Sequence, residues 1–172
     1  MEWNPAIYGP EAANLLALVG DGRRLMPLVS PRNKDVSLAE RLQRPARELF
    51  PDAPRPEAAH AGLWLYCGFF EESHSISQDI KTADGSYWHG ILHRMEPDPG
   101  NAGYWFRRVG EHPVFDELLP AAKTLGYRTG ARWDPFAFID ACDRAAPSEI
   151  DLLEQVQLAE WQLLFHHCAK AE

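Results

Sequence analysis

The chain has 172 residues, 45% of them apolar and 24% charged, with a formal net charge of −8. That size suits one domain burying roughly 70% of its unfolded surface around a single core, and the acidic balance excludes a general affinity for nucleic acid or anionic membranes, where a basic field supplies the attraction. No apolar run approaches the ~20 residues of a membrane span, and Met1 to Gly22 carries an acid but no base ahead of its apolar stretch, the wrong charge order for a secretory signal, so a cytoplasmic protein is expected.

Apolar residues recur at three and four, the period of a helix, and strand alternation is nearly absent. Pro10 to Val19 forms a first helix with Leu15, Leu16 and Val19 on one face, ended by Gly20-Asp21-Gly22. Ser37, with Glu40 three residues on, is a capping box opening a helix through Phe50. Pro45 removes a backbone hydrogen bond inside it and kinks or splits it. Pro51 to Pro56 is a rigid connector. Glu57 to Asp79 reads as the longest helix, apolar on every face from Ala61 to Phe70 and so central in the fold, then polar through Glu71, Glu72, His74 and Gln78. A tight turn at Lys81 to Gly85 leads to a helix Ser86 to Glu96, stopped by Pro97.

Asp98 caps the next helix, Pro99 to Val109, with proline at its first position. His112-Pro113 breaks the chain before Val114 to Leu125, and Asp134 with Pro135 starts Phe136 to Ala145. Ser148 starts the last helix, to about Lys170, whose His166-His167 reads as a solvated end complementing the helix dipole. Cys67, Cys142 and Cys168 lack ligand spacing and read as buried free thiols. The expected architecture is a single all-α domain, a helical array or bundle of about seven or eight helices.

Chemically expensive side chains crowd into Asp84 to Phe115. His89 and His93 are four apart and Glu96 is three further on, so on a helix all three share one face. If the helices flanking the Lys81–Gly85 turn form an antiparallel hairpin, residues whose numbers add to about 165 lie at equal depth. His74 then falls between the levels of His89 and His93, and Glu71 falls level with Arg94. A Glu-x-x-His element thus faces His-x-x-x-His-x-x-Glu. The full di-iron pattern needs two such elements and two further glutamates, whereas one copy is present, which favours a mononuclear site. His74, His89, His93 and Glu71 are its candidate ligands, with Glu96 as the alternative fourth or orienting group, and the donor set suits a divalent transition metal, Zn, Fe, Mn or Ni.

The same residues allow a metal-free chemistry in which His89 or His93, with Glu96 beside it, acts as general acid or base. Arg94, Arg107 or Arg108 has the planar fork that grips a carboxylate or phosphate. Tyr104, Trp105 and Arg108 on the Pro99 helix offer an aromatic wall and a cation to a small anionic molecule. The plainer alternative makes Tyr104, Trp105 and Phe106 core and pairs the arginines with Glu111, Asp116 or Glu117. No Gly-x-Ser-x-Gly or activated cysteine arrangement supports acyl chemistry.

Tyr87-Trp88-His89 through His93-Arg94-x-Glu96-x-Asp98, then Asn101-Ala102-x-Tyr104-Trp105, Arg108-Val109 and His112-Pro113-Val114-Phe115, resembles a family of bacterial and fungal proteins of unassigned activity. The resemblance covers under a fifth of the chain and implies no reaction. The helical size and the His-x-x-x-His pair are also similar to the DinB-like metal-binding bundles. The pair here lies mid-chain without that family's late third histidine, so those ligands are not carried over. Two functions follow as expectations: a polar pocket, with or without a metal, that binds or acts on a small anionic molecule, or a non-catalytic interaction module whose surface is Tyr87, Trp88, Tyr104 and Trp105 and whose histidines are structural.

Overall fold

The computed structural model describes residues 2–171. Helix accounts for 65% of the chain, and no strand occurs among the described residues. After a short 3-10 turn at Pro5–Tyr8 come α1 (Pro10–Leu18), α2 (Val36–Leu42), α3 (Ala46–Leu49), α4 (Pro56–Tyr66), α5 (Phe70–Asp79), α6 (Ala83–Met95), α7 (Pro99–Val109), α8 (Pro113–Leu125), α9 (Pro135–Asp143) and α10 (Ile150–Ala169). None is long and apolar enough to cross a membrane.

Among the described residues ten α-helices replace the expected seven or eight because two long stretches divide. Pro45 separates α2 from α3, as its missing N–H requires. The expected helix from Glu57 to Asp79 breaks at Gly68, whose φ of +83° only glycine adopts without strain. The Gly68 carbonyl accepts from the Asn33 N–H at 2.8 Å and so anchors the long loop that precedes α2. The longest helix is therefore α10, of 20 residues. Asp35, not Ser37, caps α2, accepting from the Leu38 N–H at 3.1 Å. Asp98 and Asp134 cap α7 and α9 as expected.

Every residue of α6 from Asp84 to Met95 is buried. It is the central strut, with α4, α5 and α7 packed around it and α10 closing the core against α4 and α8. Glycine sets how closely α4 approaches. A Cβ on Gly62 would lie 2.5 Å from Trp88 Cζ2 and 2.7 Å from Cη2, and the indole is fully enclosed. Gly62→Ala is therefore expected to lower stability by about 1–3 kcal/mol through overpacking. A denaturant midpoint equal to that of the parent would show that the ring has room to retreat.

Candidate metal centre

The α5–α6 turn sits at Ile80–Thr82, and the two helices run antiparallel so that His74 on α5 faces both His89 and His93 on α6. Ring centroids are 4.3 Å apart for His74–His89, 4.8 Å for His89–His93 and 5.6 Å for His74–His93. One ring nitrogen from each lies within 4.8 Å of the others. Small side-chain rotations close that spacing to the ~3.3 Å set by tetrahedral Zn–N bonds of about 2.0–2.1 Å. His89 is 1% exposed and His93 6%, while His74 is half-buried and forms the outer edge.

Ser77 Oγ lies 2.8 Å from His89 Nδ1 and donates to the His74 carbonyl at 3.3 Å. With the Ser77 proton on that carbonyl, the hydroxyl accepts from His89 Nδ1–H, the tautomer whose Nε2 lone pair is free for a ligand bond. Burial, reinforced by the neighbouring His74 and His93, lowers its pKa to about 3, so the ring is neutral at physiological pH. His93 Nδ1 lies 3.2 Å from Glu96 Oε2, out of hydrogen-bond alignment, and a carboxylate at that nitrogen again favours the Nδ1–H form. Burial lowers the pKa of His93 too, with Glu96 opposing and His74 adding to the shift.

The remaining expected residues divide. Trp105 packs on His89 with ring centroids 4.0 Å apart and covers the centre from α7. Arg108 lies 5.3 Å over the Trp105 ring and 5.9 Å over that of Tyr104, which is 48% exposed, and Arg108 makes no ion pair among the described residues. Glu96 stays beside His93. Glu71 points outward and binds Arg32 Nη1 at 2.9 Å, while Arg32 Nη2 binds Glu96 at 2.7 Å. Arg32 had no signal in the sequence, being 39 residues from one partner and 64 from the other. Arg94 is absent from the site. It is buried on the opposite side of α6, paired with Glu160 and Gln157 of α10 and lying 4.6 Å over Phe138. Successive helical residues diverge by about 100°, so an arginine next to His93 faces elsewhere. Phe106 is core. Tyr87 and Trp88 are 0% exposed, which removes them from any recognition surface.

A second group, Asp84, His112 and His167, also brings three donors within 4.8 Å, but its nitrogens are already engaged. His112 Nδ1 accepts the Val114 N–H at 3.3 Å and caps α8, so Nε2 must carry the proton it donates to Asp84 Oδ1 at 3.1 Å. That nitrogen has no lone pair for a metal. Asp84 also faces His167 Nε2 at 3.1 Å, Arg55 Nε at 3.3 Å and the Thr82 hydroxyl at 3.1 Å. Burial alone would raise its carboxyl pKa, and the bonds from His112 and His167 outweigh that and hold it far below the usual range. The group ties the start of α6 to the starts of α4 and α8 and the end of α10, which makes it a structural clasp. Histidines 166 and 167 are accordingly not a solvated end: His167 joins this clasp, and His166 Nδ1 meets the Tyr8 hydroxyl at 3.0 Å. A surface groove of about 810 Å³, lined in part by Arg107, His112, Arg132, Trp133 and Phe136, lies apart from the three histidines. No protein-family model matches the chain, and neither the curated proteins nor the solved structures contain a match.

Proposed function

We propose that His74, His89 and His93 hold one divalent transition metal, zinc or a similar ion, and that the metal binds or acts on a small anionic molecule. The observation that carries this is the convergence of three imidazoles: His89, buried and held neutral, has Ser77 beside its Nδ1 and offers a ring nitrogen within 4.8 Å of one on His74 and one on His93. Three like-charged rings gain nothing by converging in a core, whereas three neutral nitrogen donors are the protein share of an open zinc site. Three neutral ligands leave the ion its full double charge. Together with the Arg108 cation beside Trp105, that favours an anionic ligand in the open position. Zinc bound there would activate water as a nucleophile near neutral pH, so metal-assisted hydration or hydrolysis of a small anionic molecule is the reaction class that fits.

Protein freed of affinity tag and dialysed against each of Zn²⁺, Co²⁺, Ni²⁺, Mn²⁺ and Fe²⁺ is expected to retain about one equivalent of at least one of them. Absence of stoichiometric uptake for all five ions would refute the metal centre.

A further inference from the structure

We propose that Arg32 keeps the three-histidine centre open by holding the two nearest carboxylates out of the coordination sphere. This rests on the metal-binding role of His74, His89 and His93. Glu71 lies one helical turn before His74 on α5, and Glu96, the C-cap of α6, lies three residues after His93 and beside its ring, so these are the carboxylates placed to reach an ion between the rings. Either carboxylate would supply the fourth ligand, turn the site into a closed one and cancel half of the metal's charge. The Arg32 guanidinium takes one carboxylate on each arm, Glu71 Oε1 at 2.9 Å and Glu96 Oε1 at 2.7 Å. The second oxygen of Glu96 stays 3.2 Å from His93 Nδ1.

Arg32 is itself held in place. Its neighbour Asn33 donates its backbone N–H to the Gly68 carbonyl at 2.8 Å and its side-chain amide to the Cys67 carbonyl at 2.9 Å, which pins the loop to the break between α4 and α5. The guanidinium lies 5.4 Å over the Phe70 ring, and its side chain is 51% exposed, so removing it opens no hole in the core.

The test uses Co²⁺-loaded protein with azide as the probe anion, read from the visible d–d spectrum. The parent is expected to show a saturable azide-induced change. Arg32→Ala should bind Co²⁺ more tightly and lose the azide response, because a glutamate now occupies the open position. The triple variant Arg32→Ala/Glu71→Gln/Glu96→Gln, measured at saturating Co²⁺, should regain it. An Arg32→Ala protein that binds azide as the parent does would overturn the proposal while leaving the metal centre intact. A response lost in Arg32→Ala and still missing in the triple variant would also overturn it, since Arg32 would then contact the anion directly. A parent that takes up no Co²⁺ removes the metal centre and this role of Arg32 together.

Discussion

His89→Ala is expected to abolish metal uptake and to flatten the acid side of the stability profile of the metal-free protein. As a proposed direct ligand of the metal, the imidazole should cost more on removal than the roughly 10–100-fold in affinity that follows loss of an outer partner. The pH effect follows from its protonation. The folded-state pKa lies near 3, below the unfolded value of 6.5, so the unfolded chain binds more protons between those limits. The stability contributed by neutral His89 is complete above pH 6.5 and is lost as pH falls towards 3, at up to about 1.4 kcal/mol per pH unit. The variant lacks this slope. At pH 8 it should be the less stable, having lost a buried ring packed on Trp105. Ser77 is not orphaned by the change, since its hydroxyl still donates to the His74 carbonyl. The gap should narrow with acid. Urea midpoints of the metal-free parent and variant from pH 8 to pH 4 measure this, and parallel profiles would mean that His89 titrates in the fold as it does in the unfolded chain and is not held neutral by its burial.

Local rules recovered the helices whose ends carry a proline or a capping acid: α7 and α9 begin at the proline that follows Asp98 and Asp134, and α6 ends just before Pro97. The meeting of His74 with His89 and His93 was legible because a short turn between two helices leaves few registers, and their contacts straddle the level that the hairpin geometry assigns. The Gly68 break was hidden because AGLWLYCGFF is apolar on every face and has no period whose interruption would show an end. Arg32 and the Asp84 clasp were invisible for another reason. Their partners lie far away in sequence, on elements whose packing no local pattern encodes. Arg94, Arg107 and Arg108 looked like one basic cluster along the chain. In space Arg94 is buried against α10, while Arg108 stands over the aromatic rings of α7. Sequence proximity on a helix is not proximity of side chains.

The largest loss of stability is expected from Glu160→Ala. Glu160 is 0% exposed and holds Arg94 Nη2 at 2.5 Å and the Tyr87 hydroxyl at 3.0 Å, while Gln157 Oε1 accepts from Arg94 Nε and Nη2 at 3.2 Å each. Gln157 in turn donates to the Met26 and Pro27 carbonyls at 3.0 and 3.1 Å, so the network joins α6, α10 and the loop after α1. Arg94 Nη1 already has no acceptor among the described residues. Removing Glu160 leaves a guanidinium in the core without a counter-charge, which costs about 3–5 kcal/mol. Arg94→Met/Glu160→Leu/Tyr87→Phe removes the charge pair and the hydroxyl that would otherwise be stranded, and replaces them with apolar groups of similar volume. Its stability should return to within about 1–3 kcal/mol of the parent: a buried ion pair gives back in attraction little more than it loses in desolvation, and what remains is the cost of the buried Gln157 Oε1 that loses its Arg94 donors. Metal uptake by the triple variant should match the parent, since His89 and His93 face the other side of α6. Denaturant midpoints and metal content of the two variants decide the matter: a Glu160→Ala protein within 1 kcal/mol of the parent would show that Arg94 is not an obligate charge in the core, and lost metal uptake in the stable triple variant would tie the network to the site.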